Sequence, residues 1–174
     1  MPLVFQYGSN TSVVRLNSPK RLNGDARVVG PAYTSDKYEL DFTVWSKTNN
    51  CAAADIVPAG NTHIWGVVYE IPREIIYRNL SGARKSLDAI EGEGGNYQRE
   101  EIQVVFNGDT SNTVPVLTYV VRERKPGGKT SAAYASEIIN GLKSHGIQSD
   151  YLEYVYNRIL LNNGALKGKL PSIP

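Results

Sequence analysis

The sequence is poor in the residues that staple or metallate a fold. It has 174 residues but one cysteine, Cys51, and two histidines, His63 and His145. One cysteine excludes an intramolecular disulfide, and small secreted domains rarely do without one, so the cytoplasm is the expected compartment. Cys51 stands in "TNNCAAAD", with no base beside it, and reads as a small inert residue rather than a nucleophile. The histidines are far apart and no His/Cys/carboxylate set has ligand spacing, so no structural or catalytic metal is expected. Charge of one sign is also scarce. The formal net charge is +2 and no basic run is present, which gives no case for a nucleic-acid or acidic membrane partner. No apolar run approaches the ~20 residues of a membrane span, and "MPLVFQYGSN" lacks the positive flank of a secretory signal.

What is present is tyrosine: 11 against 3 phenylalanines. Tyrosine joins a packing ring to a polar tip and suits a surface that is apolar on one side and wet on the other, such as a polar pocket in a small barrel. Hydrophobic residues make up 41% and charged residues 21%, values of a globular protein. The length predicts a single domain over residues 1–165, with the last residues, 166–174, loose.

Strand patterns come first along the chain. Leu3–Tyr7 predicts a short central strand, with a short helix at Thr11–Leu16. "ARVVGPAY" and "YELDFTVW" predict two strands divided by a turn at "TSDK". In the second, Tyr38, Leu40, Phe42 and Val44 share one face. "HIWGVVYEI" predicts a strand in which Gly66 permits close backbone approach. Pro72 opens a helical stretch, "PREIIYRNLSGARKSLDAI", read as two helices broken at Ser81–Gly82. "YQREEIQVVF" and "TVPVLTYVV" predict an antiparallel pair joined through Asn107–Gly108–Asp109. Two helices close the chain, the first stopped by Gly146 and the second capped by Ser149 or Asp150. Strands first and helices late predict an α+β fold, a curved sheet or small barrel with helices outside, not an alternating nucleotide-binding sheet.

Two places can carry chemistry. The first strand breaks into Gly8-Ser9-Asn10, an ordinary turn composition but also a way to present bare main-chain N–H groups to an anion. The second is Glu91, which ends the apolar helix Leu87–Ile90 and opens the glycine-rich "EGEGGN". The negative end of a helix dipole and partial burial both disfavour its charge, raising its pKa toward that of a useful base. Glu93 and Glu100 compete for that part, but Glu100 lies in an alternating strand and is expected to face solvent. Asp55 reads as a turn or pocket-edge residue, and Trp65–Gly66 as packing.

These residues carry a resemblance. Tyr7-Gly8-Ser9-Asn10 at a strand end, Trp65–Val68, the Leu87–Gly92 helix end, Tyr97, Tyr119, and Tyr134 followed by Gly141 and Gly146 together resemble the γ-glutamylcyclotransferase family (AIG2-like proteins). The resemblance implies a small mixed β-barrel flanked by helices with a pocket at one mouth. It implies a cyclotransferase that takes a γ-glutamyl small molecule, closes 5-oxoproline by attack of the α-amine, and releases the attached amine or amino acid. Glu91 would be the acid/base; Tyr7, Gly8, Ser9 and Asn10 would cradle the glutamyl group, and Tyr97, Tyr119 and Tyr134 would line its pocket. The expected rim for the leaving group is "SKTNNCAAAD" and "RERKPGGKTS", with Arg122, Lys125 or Lys129 at hand for a carboxylate. The protein is expected to be a monomer or weak homodimer. The alternative, a non-catalytic ligand-binding or regulatory protein on the same fold, gives Glu91 no work.

Overall fold

A computed structural model describes residues 1–77 and 85–174. Six strands are β1 (Leu3–Gln6), β2 (Arg27–Ser46), β3 (Cys51–Pro58), β4 (Thr62–Glu70), β5 (Tyr97–Phe106) and β6 (Val114–Val121). The helices are α1 (Val13–Leu16), α2 (Arg73–Tyr77), α3 (Leu87–Glu91), α4 (Ala132–Ser144) and α5 (Ser149–Asn162). The strand order is β3-β2-β4-β1-β6-β5, and β2 also pairs with β5. Five strands therefore close a ring, β2-β4-β1-β6-β5, with β3 outside it on β2. Only the β1–β6 pairing is parallel, so the barrel is mixed. The α+β class and the barrel expected from the sequence are both present.

β1 is the central strand because both of its faces are apolar. Val4 enters one core cluster with Leu16, Tyr69, Ile76 and Leu87; Phe5 enters the other with Leu40, Ile64, Ile138 and Leu152. Gly66 on β4 permits the expected close approach: a Cβ there would stand 2.3 Å from the Gln6 carbonyl oxygen.

The two strands expected between residues 27 and 45 are one strand of 20 residues. "TSDK" holds neither Gly nor Pro, so nothing reverses the chain, and a bulge between Tyr33 and Lys37 bends it instead. The Thr34 hydroxyl fills the gap, accepting from the Ile64 N–H at 3.0 Å and donating to the Asp36 carbonyl at 2.7 Å. The bend lets β2 pair with β4 and β5 at one end and β3 at the other. The helix expected at Thr11–Leu16 begins instead as a 3-10 turn over Ser9–Thr11, with α1 starting after Ser12. The Ser81–Gly82 break lies outside the described residues. The β5–β6 hairpin is as expected, and Gly146 ends α4 at φ 70. α5 starts after Gln148, one residue before Ser149 and two before Asp150, the caps expected for it.

Residues 166–174 are docked, not loose. Leu166 is buried, Leu170 and Ile173 pack against the larger core cluster, and Lys143 Nζ donates to the Ser172 carbonyl at 2.7 Å. Three apolar anchors among polar neighbours hold the segment down.

Asp55 is neither in a turn nor at an edge. It is fully buried inside β3, opposite Asp41 of β2. Facing carboxylates repel, and each is met by cationic and polar partners. Asp55 accepts from Arg124 Nε at 2.6 Å, Thr43 Oγ1 at 2.9 Å and the Val121 N–H at 3.0 Å. Asp41 accepts from Asn162 at 2.6 Å and lies 3.8 Å from Arg158. Asp55 thus ties β3, which lies outside the ring, to the end of β6. Removing one member of a buried pair leaves the other desolvated and unmatched. Asp55→Ala should destabilise the protein by about 3–5 kcal/mol, read by urea unfolding; a loss below about 1 kcal/mol would show that β3 holds without this tie.

Candidate functional site

The site lies where β1 ends. Beyond Gln6 and Tyr7 the chain enters the Ser9–Thr11 turn, which is pinned from behind. Tyr69 Oη donates to the Asn10 and Thr11 carbonyls, both at 3.1 Å, and Thr11 Oγ1 donates to the Gly8 carbonyl at 2.8 Å. With the carbonyls turned inward and occupied, the N–H groups of Gly8, Ser9 and Asn10 have no acceptor among the described residues. Gly8 has φ −98, so it is not there for a left-handed turn. Its use is space: a Cβ would stand 3.4 Å from both the Ala54 Cβ and the Tyr134 hydroxyl.

Glu91 reaches the same place from the last turn of α3. Ser86 caps that helix at its start, accepting from the Ala89 N–H, and left-handed Gly92 ends it. The carboxylate is held by one oxygen only. Asn10 Nδ2 donates to Oε1 at 2.6 Å and Gln6 Nε2 donates to it at 3.0 Å; Oε2 has no partner among the described residues. Burial raises the Glu91 pKa, and the charges of Arg21 and Arg15 and the two amide hydrogen bonds oppose that rise without cancelling it. Asn10 Oδ1 is buried and has no hydrogen-bond partner, so an acceptor and a free carboxylate oxygen stand in one pocket.

That pocket is small, about 30 Å³, and all eight residues named from the sequence line it together with Gln6 and Ala54. The tyrosines differ in what their hydroxyls do. Tyr7 Oη donates to the Tyr119 carbonyl at 2.6 Å, Tyr97 Oη to the Ala54 carbonyl at 2.8 Å, and Tyr119 Oη to Asp88 at 2.6 Å. Asp88 also meets Arg99 Nε at 3.1 Å. Tyr134 Oη instead accepts from the Ala54 N–H at 3.1 Å and also meets the Ser9 side chain. Burial raises the pKa of Tyr7, Tyr97 and Tyr134, so each stays a neutral phenol well into the alkaline range.

The pocket opens into a cleft of about 540 Å³. Ser46, Lys47, Thr48 and Asn49 border it, as expected for the first rim segment, but Cys51 and Ala52 are buried in β3. The second expected rim does not reach the cleft. Residues 124–129 run as a strap along β2 and β3: the Lys125 and Gly128 N–H groups donate to the Thr43 and Phe42 carbonyls, and the Lys129 carbonyl accepts from Ala52. The cations of the cleft are Arg15, Arg21 and Lys47. Arg15, Arg21 and Gln6 carry no motif or spacing in the sequence; the one available signal is that Gln6 precedes the Gly8–Asn10 turn and the two arginines follow it. Glu93 and Glu100 are exposed and away from the pocket. Among the described residues no cluster of His, Cys, Asp and Glu could hold a metal, and no helix is long and apolar enough to cross a membrane.

A model of the AIG2-like family matches residues 63–155. No curated protein matches the chain significantly. Among solved structures, the chain is similar to one described as a gamma-glutamyl cyclotransferase, with 24% identity and a TM-score of 0.74 over 89% of this chain and 86% of that one. An uncharacterized protein from Homo sapiens gives 24% identity and a TM-score of 0.75, over 88% and 85% of the two chains. YkqA from Bacillus subtilis gives 21% and 0.70, over 91% of this chain and 54% of that one. At these identities the likeness is one of fold.

The raised pKa has a consequence for stability. A carboxyl that holds its proton more tightly folded than unfolded makes stability fall as pH rises from the ordinary glutamate value of 4.5 through the folded value. Glu91→Gln removes the desolvated charge and keeps an acceptor for Gln6 and Asn10. Its melting temperature should exceed the parent's by a few degrees at pH 7, and the gap should close as the pH falls toward 4. A variant that melts below the parent at pH 7 would mean that the carboxylate stabilises the fold as a charge.

Proposed function

The chain belongs to the AIG2-like family, and from that premise and the chemistry of the pocket we propose that it converts a γ-glutamyl compound into 5-oxoproline and a free amine or amino acid, without a cofactor. The observation that carries this reading is the held Glu91 carboxylate: fixed through Oε1, free at Oε2, raised in pKa and set beside the unpaired N–H groups of Gly8–Asn10.

The substrate contains its own nucleophile and electrophile, so the protein has to fold it and move protons. Its α-carboxylate sits on the Gly8–Asn10 N–H groups, and its α-ammonium donates to Asn10 Oδ1 and Glu91 Oε2. Glu91 takes a proton, and the freed amine attacks the γ-carbonyl carbon. The new C–N bond closes a five-membered ring, the bond to the leaving nitrogen breaks as that nitrogen collects the proton Glu91 holds, and the second proton of the ring nitrogen then passes through the freed Glu91 carboxylate to the departing amine. Orientation of this kind is worth roughly 7–11 kcal/mol. Tyr134, whose hydroxyl lines the pocket beside Ser9 and Ala54, is the donor for the developing oxyanion, a part worth about 3 kcal/mol elsewhere. Tyr7, Tyr97 and Tyr119 form the walls.

The reading is tested by mass-spectrometric detection of 5-oxoproline from a panel of γ-glutamyl dipeptides, γ-glutamylamines and glutathione. Glu91→Gln should drop kcat to below a few per cent of the parent value with the same substrate. In the parent, kcat/KM should rise with pH through a midpoint above the ordinary glutamate value of 4.5, because only the ionised carboxylate accepts a proton. N-acetylation of the substrate should stop turnover; release of N-acetylglutamate from the acetylated compound would make the enzyme a hydrolase. Gly8→Val should lower kcat/KM at least tenfold with little change in melting temperature, since its methyls would fill the space before the N–H groups and the Tyr134 hydroxyl. Unchanged kinetics in that variant would remove the loop from the substrate.

A further inference from the structure

Beside the small pocket is a second chamber of about 390 Å³, continuous with the cleft through Arg15, Arg21 and Asn49. Its charge is one-sided. Arg15, Lys20, Arg21, Lys47 and Lys85 border the cleft and chamber, and among the described lining residues Glu91 is the one carboxylate. Two of these cations have unused, buried donors. Arg15 Nη2 donates to Asn49 Oδ1 at 2.7 Å, yet Arg15 Nε is buried without a partner, and so is Arg21 Nε. A buried guanidinium donor with no acceptor carries a desolvation cost that an incoming anion relieves. Burial and the neighbouring Arg15 charge both disfavour the Arg21 cation, with Glu91 as the first charge to offset them. One carboxylate would leave one of the two guanidinium donors still unmatched.

Resting on the cyclotransferase reading of the adjoining pocket, we infer that the leaving part of the substrate is an acidic amino acid, carrying two carboxylates seated on Arg15 and Arg21 with Lys20, Lys47 and Lys85 at the rim. The glutamyl group lies across the inner pocket and the part of the cleft that shares Asn10, Glu91, Tyr97 and Tyr134 with it, the scissile nitrogen lies at Glu91, and the dicarboxylate extends into the chamber. An amine leaving group with a positive charge meets five cations there and is excluded.

The test is a ladder of affinities for Glu91→Gln protein, which does not turn the ligands over, measured by titration calorimetry. The ligands are γ-glutamylbutylamine, γ-glutamylalanine and γ-glutamylglutamate, with no, one and two carboxylates beyond the glutamyl group. Binding should tighten about tenfold per added carboxylate, and the gain should shrink as salt is raised. Adding Arg21→Met or Arg15→Met, which keep the apolar stem, should each remove one step and leave γ-glutamylbutylamine unaffected. A flat ladder, absent binding included, overturns the inference; so does a ladder that survives both methionine variants. The ladder itself needs no arginine variant, so a misfolded variant leaves it decisive. Should the parent protein release 5-oxoproline from all three ligands at equal rates over a flat ladder, the activity stands and this inference fails. Should the ladder hold while no 5-oxoproline forms, the anion subsite stands and the activity reading fails.

Discussion

The hydrogen bond from Asn10 to Glu91, 2.6 Å long, spans 81 positions of sequence, and the geometry of the whole site depends on it. It joins the turn that ends β1 to the last residue of α3, a helix that is no part of the strand ring. A carboxylate in that position is costly, because burial takes it out of water. The arrangement offsets part of the cost with two neutral amides on one oxygen and leaves the other oxygen bare. A fully hydrogen-bonded carboxylate would be better solvated and a weaker base; an unheld one would be free to turn toward water. Holding by one oxygen fixes the direction of the free lone pairs while the pKa stays raised.

The tyrosines show where the remaining precision comes from. Tyr7, Tyr97 and Tyr119 direct their hydroxyls at main-chain or carboxylate acceptors. Two of the four pocket tyrosines converge on Ala54, one on its carbonyl and one on its N–H. Ala54 is therefore a fixed point, and it is fixed because its neighbour Asp55 is bound to Val121 and Arg124. β3 lies outside the closed ring and would be the easiest strand to displace. The buried ion pair is the device that keeps it in register, so a residue that touches no pocket atom sets where two phenols stand.

The sequence carried more of the site than of the fold's course. Glu91 was legible because a helix pattern ending in Glu-Gly has a physical meaning: the residue sits at the dipole's negative end, before a left-handed stop. Gly8–Asn10 was legible because an apolar strand that breaks into turn residues must place its N–H groups somewhere. The long β2 was not legible, because two apolar runs around "TSDK" fit a hairpin as well as a bent strand, and the Thr34 bulge that decides between them is a tertiary contact. Asp55 was misread for a similar reason. An aspartate after a run of alanines looks like a turn residue until Arg124, 69 positions away, closes on it. Arg15 and Arg21 carried no pattern at all; their meaning comes from what they face, not from their spacing.

The arginines and Glu91 are best understood together. Burial raises the glutamate's pKa, and Arg21 is the largest opposing influence. The two effects leave the carboxyl raised but ionisable, which is the state a base needs before substrate arrives. An anion seated on Arg21 would cancel part of that guanidinium's field at Glu91 and so remove part of the opposition. The carboxylate would then hold a proton more tightly at the moment when it has one to take from the ammonium beside it. Release of the anion with the leaving amine would restore the field and help return Glu91 to its ionised form. On the proposed activity, the two charges inferred to select the leaving group would in this way couple its presence to the basicity of Glu91, with no moving part other than the substrate.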